Sequence, residues 1–332
     1  MTRGPVPPGN FPTMPSVSVI LPTFNRTRFL RLAIESVYAQ TYPDWEVIIA
    51  DDGSAEETRM YLRSIATSRV RIIWLPHSGN PSRVRNAAIE AAGGRYLAFL
   101  DSDDIWAPSK LEKQIGALRD RANSRWSYTA CDQIDDNGHP LAKTHLRTIV
   151  RPEGWIFEQL LTLEIGIAMP TVVAERSLVD EVGRFDEQQR FGEFHDLCLR
   201  LAMKGEVVVV REPLCSVRTH DEHYSSDRIG DHAGWMRLYE KMANFTTVPQ
   251  LRAYCEKMRA ETSLKLAREQ GIGGDFRGVW TTLRGASSFS WRYPQWWWGV
   301  LKGIVRLIVP RALMSALRRR ARRRLRFGSK ER

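Results

Sequence analysis

Short apolar runs closed by polar or acidic clusters alternate along the first hundred residues with segments whose apolar positions recur at helical spacing. Val17-Ser-Val-Ile-Leu21, closed by Pro22, reads as a first strand, and Arg28 to Gln40 as a helix with Phe29, Leu32, Ala33 and Val37 on one face. Glu46-Val-Ile-Ile-Ala50 is a second strand ending in Asp51-Asp-Gly-Ser54, Glu56 to Ile65 a helix, and Val70 to Trp74 a third strand. Ser82 to Ala92 is a helix stopped at Gly93-Gly94, and Tyr96 to Leu100 a fourth strand. Strand and helix alternating over short connections imply an α/β fold, with a mostly parallel sheet flanked by helices.

The middle of the chain is less regular. Trp126 to Ala130 and Val207 to Val210 read as strands, Asp135-Asp-Asn-Gly138 as a tight turn, and Trp155 to Leu163 and Glu193 to Lys204 as helices. Residues 231 to 285 carry a mostly helical pattern. Met1 to Pro15, rich in Pro and Gly, is expected to be disordered.

Charge changes this picture at one end only. The formal net charge is +11, and from Gly299 onward twelve Lys and Arg face a single acid, Glu331, so the excess lies entirely in the tail. A neutral body with one basic end implies a local anchor rather than a nucleic-acid-binding body. Trp296-Trp-Trp298 leads into a segment with Lys302 and Arg306 on one face and Leu301, Ile304, Val305 and Ile308 on another. That pattern describes a helix lying in a membrane interface, followed by a basic cluster, Arg318 to Arg326, suited to anionic headgroups. Packing on the body and nucleic-acid binding are the alternatives. No apolar run is long enough to span a bilayer, and the N-terminus has no signal-peptide pattern. Cys131, Cys198, Cys215 and Cys255 show no zinc or disulfide spacing and read as reduced thiols.

The candidate chemistry lies at strand ends. Asp101-Ser-Asp-Asp104 follows Tyr96 to Leu100 and so brings carboxylates to the carboxyl edge of the sheet, where open α/β sheets bind ligands. Two carboxylates one residue apart can hold a hard divalent cation, which can in turn grip a diphosphate. An acidic turn before the helix near Pro108 is the plainer reading. Pro22-Thr-Phe-Asn25 and Asp51-Asp52 end the first two strands and would share that rim. No phosphate-binding Gly-x-x-x-x-Gly-Lys loop is present; Gly79 and Gly93-Gly94 read as turns and helix stops.

The ordered set 17 to 26, Gln40 to Glu46, Asp51 to Ser54, Arg85-Asn86 and Phe99 to Asp104 resembles the nucleotide-sugar-binding half of the family 2 glycosyltransferases, which have the GT-A fold. The resemblance covers roughly residues 16 to 225. It implies that Pro22, Thr23, Phe24, Asn25, Asp52, Arg85 and Asp101 bind the donor. Phe24 would lie against the nucleobase and Asp52 accept from a base N–H, the plainer readings being a core Phe and a turn residue. Arg85, and Arg83 with it, would reach a phosphate or the acidic rim. Asp101 would contact the ribose or the metal and Asp103 would ligate that Mg²⁺ or Mn²⁺, with His220, in the segment Arg218-Thr-His220, as a further metal ligand or phosphate donor. Asp104 is expected to begin or cap the next helix.

Val182 to Glu187 and Gly192 to Arg200 resemble the family's base-bearing region, with one departure. Glu193 and Asp196 match, but the Asp expected between them, the usual base of inverting members, is Phe194, and a phenyl ring takes no proton. Glu193 is the first substitute, with His195 and Asp196 as alternatives. The expected organisation is a GT-A domain over 16–230 (donor-binding 16–125, acceptor and base region 126–230), a helical extension over 231–295 and a membrane-associating tail over 296–332. The resemblance implies a metal-dependent, inverting transferase that moves a sugar from a nucleoside-diphosphate donor, UDP-linked as first choice, to a glycan or lipid-linked acceptor at the cytoplasmic face of the membrane. The alternatives are a catalytically weakened nucleotide-sugar-binding protein and a protein acting through its basic tail.

Overall fold

The computed structural model describes residues 15–141, 152–219 and 227–308, excluding the side chains of 304–308. The N-terminal segment, His220 and the Arg318–Arg326 cluster lie outside the described residues. Two compact units are present, one ending at His223 and the other beginning at Tyr224.

The first unit is built on an eight-stranded sheet. Its strands are β1 (Val17–Thr23), β2 (Trp45–Asp51), β3 (Val70–Trp74), β4 (Tyr96–Phe99), β5 (Ile105–Trp106), β6 (Ser124–Ile134), β7 (Val173–Glu175) and β8 (Glu206–Arg218), in the order β3-β2-β1-β4-β7-β6-β8-β5. The pairs β1·β2, β1·β4, β2·β3 and β6·β8 are parallel. Strand β7 runs against both β4 and β6, and β5 against β8. The sheet is therefore mostly parallel, as expected, with two short reversed strands that the hydrophobic pattern did not reveal. All seven residues of β2 are buried, as are all four of β4, because helices cover both faces of a crossover-linked sheet.

Helices α1 (Thr27–Tyr38), α2 (Glu56–Ile65), α3 (Pro81–Ala91) and α4 (Lys110–Asp120) follow the strands. Helix α3 starts where the sequence favours a start: Pro81 occupies its first turn, and the Asn80 side chain accepts from the Ser82 and Arg83 N–H groups. Shorter helices α5 (Phe157–Leu161), α6 (Arg176–Glu181) and α7 (Glu193–Ala202) complete the unit. The turn at 135–138 forms as expected: Gly138 has φ 88° and donates to Asp135 O at 3.0 Å. Gly94 does more than stop a helix, since a Cβ there would lie 2.6 Å from the Ser18 backbone nitrogen; strand β1 packs where that side chain would be.

The second unit contains α8 (Arg228–Phe245), α9 (Pro249–Ile272), α10 (Phe276–Ser290) and α11 (Pro294–Ile308). Trp296 is the pivot of its small core. It is buried with Ala260 and Ala286, and its Nε1 donates to Ser263 Oγ at 2.9 Å. None of the helices in the described residues is long and apolar enough to cross a membrane. All four cysteines are free and buried.

Candidate active site

The register of the parallel strands puts their carboxyl ends on one rim. Thr23 pairs with Asp51 across β1 and β2, the Asp52 N–H donates to Thr23 O at 3.0 Å, and the Leu100 N–H donates to Ile20 O at 3.1 Å. Asn25 caps this rim in a left-handed conformation (φ 52°), receiving the Ala55 N–H at 2.7 Å and donating its own N–H to Ser54 Oγ at 2.9 Å. The loop after β1 is thereby locked to the Asp51-Asp-Gly-Ser54 turn. Gly53 is required there: at φ 78°, any Cβ would come within 2.7 Å of the His77 backbone nitrogen.

Phe24 is 40% exposed and stacks on His77, with ring centroids 4.2 Å apart and planes 19° apart. Phe24 is therefore not a core residue, and with His77 it presents a half-open aromatic ledge. Sequence reasoning missed His77, because its place in the site depends on the fold bringing the 77–79 loop beside β1. Asp52, buried, organises that loop. Its Oδ1 accepts from the Ser78 N–H at 2.9 Å and Oγ at 2.8 Å, its Oδ2 accepts from the Gly79 N–H at 2.9 Å, and His77 Nδ1 lies 3.1 Å from Oδ2. In the structure, Asp52 holds the ledge in place.

Arg85 is the centre of the site. It projects from α3, is 6% exposed, and reaches two carboxylates at once: Nη2 donates to Asp101 Oδ1 at 2.8 Å and Nη1 to Glu193 Oε1 at 3.1 Å. The Phe185 ring lies under the guanidinium, 5.4 Å from centroid to Cζ. Burial alone would lower the pKa of Arg85, but the charges and hydrogen bonds of Asp101 and Glu193 overcome this and raise it. Arg83, two residues earlier, is exposed. The neighbouring Asn86 clamps the opposite loop through the backbone of Phe185, accepting its N–H at 3.0 Å and donating to its carbonyl at 2.9 Å, and also reaches Glu187 Oε1 at 3.2 Å.

Asp103 forms an ion pair with Arg26, a residue the sequence reading did not assign. Asp104 departs from expectation: α4 begins at Lys110 with Ser109 before it, so Asp104 caps no helix. It is buried instead, and its Oδ1 accepts the Arg218 N–H at 2.9 Å, tying the acidic loop to the end of β8. Burial, with Asp103 and Asp101 nearby, raises its pKa well above the ordinary carboxylate value. Arg218 completes the tie, donating to Asp103 O at 3.0 Å and Asp135 O at 2.7 Å.

Helix α7 begins with Glu193, directly after Gly192 in a left-handed turn (φ 69°). Its first residue therefore faces the rim while the helix body is buried. Asp196, fully buried, receives Arg200 Nε at 2.9 Å and Nη2 at 2.6 Å on one oxygen, and Arg200 also donates to the carbonyls of Val182 and Arg184. That is the work of a brace. Burial pushes the His195 imidazole down to about 4 despite opposing effects from the Leu160 backbone and Asp196, so it is neutral at physiological pH. Of the three acid–base candidates, Glu193 is the one that meets Arg85 at the carboxyl rim of the sheet.

Among the described residues, no three acidic, His or Cys groups gather to hold a metal. The rim carries Asp101, paired with Arg85, and Asp103, paired with Arg26, so a cation there would share or displace those guanidinium contacts. Such a pair suits Mg²⁺ or Mn²⁺, hard cations bound through one or two carboxylates and completed by substrate phosphates and water.

Residues 18–172, just under half of the chain, match the family model "Glycosyl transferase family 2", and the match supports a family 2 glycosyltransferase domain over that span. It is 34% identical over 164 residues to the UDP-Glc:alpha-D-GlcNAc-diphosphoundecaprenol beta-1,3-glucosyltransferase WfgD of Escherichia coli, covering 49% of this chain and 62% of that protein. It is 35% identical over 170 residues to the putative teichuronic acid biosynthesis glycosyltransferase TuaG of Bacillus subtilis, covering 51% of this chain and 65% of that protein. The chain thus spans somewhat under two thirds of the length of these curated relatives. Staphylococcus aureus TarS 1–349 in complex with UDP-GlcNAc superposes with a TM-score of 0.60 at 18% identity, covering 75% of this chain and 72% of that one. The mannosyltransferase PcManGT of Pyrobaculum calidifontis, in complex with GDP-Man and Mn²⁺, superposes at 0.55 with 15% identity, covering 90% and 88%. These likenesses establish the GT-A fold.

Proposed function

We propose that this glycosyltransferase domain catalyses metal-dependent, inverting transfer of a sugar from a nucleoside-diphosphate donor to a hydroxyl of a cell-envelope or lipid-linked glycan. The observation that carries the reading is the Asp101–Arg85–Glu193 bridge, which joins the donor rim to the start of α7. The nucleobase would lie on the Phe24–His77 ledge, with Pro22, Thr23, Asn25 and Asp52 shaping the loop beneath it. Asp101 and Asp103 would hold Mg²⁺ or Mn²⁺, which when bound supplies positive charge to the diphosphate as it departs; His220 would add to that set. Glu193 would take the proton of the acceptor hydroxyl as its oxygen bonds to the anomeric carbon and the bond from that carbon to the diphosphate breaks. Arg85, held charged in a buried setting, would keep Glu193 aimed at that hydroxyl. A UDP-linked donor is the first choice, because the names of WfgD and of the TarS complex both carry one. The lipid-linked acceptor follows WfgD, which acts on a GlcNAc carried by diphosphoundecaprenol. A basic segment from Trp296 to Arg332 would hold the protein at the cytoplasmic face of an anionic membrane, where such an acceptor lies.

The test is thermal stability against UDP, GDP, dTDP and CDP, each with and without Mn²⁺, for wild type and Asp103→Ala. A ligand that binds only the native state raises the melting temperature by mass action. One nucleotide should stabilise the wild type, only with the metal, and Asp103→Ala should abolish the shift. No shift with any of the four at millimolar concentration would remove the reading.

A second reading rests on Phe194. A chain with the donor site intact but its usual base replaced would bind nucleotide sugar and transfer slowly. Robust transfer by the wild type excludes it.

A further inference from the structure

The helical unit exposes aromatic side chains that its own core does not use. At the corner where α10 passes into α11, Trp291, Trp297, Trp298 and Leu301 are 61%, 48%, 58% and 48% exposed. They form one neighbourhood: Trp297 Nε1 donates to the Trp291 carbonyl at 3.4 Å. Cations lie among them, with Arg292 5.2 Å from the Trp291 ring centroid and Lys302 5.4 Å from that of Trp298. Trp296 turns the opposite way, into the core against α9, and so fixes the corner to a folded body. The Trp triplet that reads from sequence as the start of a tail is thus split, one indole holding the unit together and two facing out.

Charge selects the occupant. From Phe276 to Lys330 the chain carries fourteen Lys and Arg and no Asp or Glu. A second copy of this surface would bring like charge against like. A nucleic acid would use the cations and could stack bases on the indoles, but would leave the aliphatic Leu301 without a partner. An anionic bilayer uses both: indoles favour the headgroup region, and Lys and Arg stems extend along the apolar layer toward lipid phosphates.

We propose that the α10–α11 corner is a membrane-insertion surface, with Trp291, Trp297, Trp298 and Leu301 seated in the interface of an anionic bilayer and Arg292 and Lys302 on its phosphates. The anchor is then a folded aromatic wedge, in addition to the basic segment beyond it. The proposal deepens the membrane-anchoring part of the proposed function and stands independently of its sugar-transfer part.

The experiment is co-sedimentation of the full chain with vesicles of phosphatidylcholine alone and of phosphatidylcholine with phosphatidylglycerol, at low and high salt. Wild type is compared with Trp297→Ala/Trp298→Ala, with Trp291→Ala, and with Arg292→Gln/Lys302→Gln. Wild type should bind the anionic vesicles with a blue-shifted Trp emission. The double Trp variant should lose about tenfold or more in partitioning, as expected when two large apolar side chains no longer leave water. Melting of each free variant reports folding; Trp296 keeps its burial and its bond to Ser263 but loses an edge-on contact with Trp297 in the double variant, so Trp291→Ala gives a second reading should the double variant melt early. Equal binding of wild type and both Trp variants would overturn the proposal and leave the basic segment as the anchor. So would a dimer in vesicle-free buffer that the Trp substitutions dissolve, or tighter binding to a single-stranded oligonucleotide than to anionic vesicles.

Discussion

Arg85 spends its two terminal nitrogens on Asp101 and Glu193, so the fate of Glu193 is the sharpest question the site poses. Glu193→Gln keeps an oxygen for Arg85 but cannot accept the acceptor's proton. Transfer should fall by about 10²- to 10⁴-fold while the nucleotide-induced rise in melting temperature is retained. Phe194→Asp restores the family's usual residue, and with Glu193 as base its transfer should be unchanged or lower. A large rise would show that the wild type lacks an effective base. How far the sequence reveals such residues depends on where their partners lie. Asp101 and Asp103 were legible because a buried strand leads directly into them, and Glu193 because its helix pattern begins there. Arg26 and His77 were not: the partner of Arg26 is seventy-seven residues away, and the ledge formed by His77 exists only once the 77–79 loop meets β1. The brace between Asp196 and Arg200 sits at helical i, i+4 spacing, a signal that could have separated Asp196 from the base candidates in advance.

At the scale of elements, α3 does the assembling. One turn of it supplies Arg85 to the rim and Asn86 to the 185–187 backbone, so the helix holds the two halves of the site in register. Asn86→Ala would leave the Phe185 N–H and carbonyl without this partner, a loss of about 1 to 3 kcal/mol in stability. Transfer should fall further than nucleotide binding, since the ledge and the acidic rim do not depend on Asn86. Equal losses in both would show that α3 supports the whole rim instead; urea denaturation beside single-turnover transfer separates the two outcomes. The sequence revealed β1 to β4 and α1 to α3 to within a residue or two, because each carries its own period and its own stop. It missed β5 and β7, which have two and three residues and no period to read, and which exist only by pairing with β8, β4 and β6. Strand β8 was read as four residues and has thirteen; Arg211-Glu-Pro213 interrupts its apolar run, and the pairing with β6 absorbs the interruption as register shifts.

Within the first unit, two buried bases, His195 on α7 and Lys110 at the start of α4, each make stability depend on pH. His195 has an ordinary pKa of 6.5 and is pushed down to about 4 by burial, so between those values the unfolded chain binds more protons. Stability is therefore full above pH 6.5 and lost as pH falls toward 4. Lys110 is fully buried, its Nζ 4.0 Å above the Trp106 ring centroid and, among the described residues, without a hydrogen-bond partner; burial pushes it from 10.5 down to about 8. The same sign holds at higher pH: below about 8 the folded state bears the cost of a buried ammonium, and stability rises as pH climbs from 8 to 10.5. Each of these two groups contributes a rising limb with a slope of at most ~1.4 kcal/mol per pH unit for one proton, while Asp104, Cys198 and Cys215, whose pKa values burial raises, contribute in the opposite sense. Lys110→Met keeps the length and apolar stem without the charge, and should stabilise the protein by about 1 to 3 kcal/mol at pH 7, partly offset by loss of the contact with Trp106. Above pH 10.5 that advantage should vanish, because the wild-type amine is neutral there in both states. His195→Gln should flatten the acid limb and leave the alkaline one. Chemical denaturation across pH 4 to 11 reads both effects, and a Lys110→Met variant less stable than wild type at pH 7 would mean that the ammonium on Trp106 is a net stabilising contact.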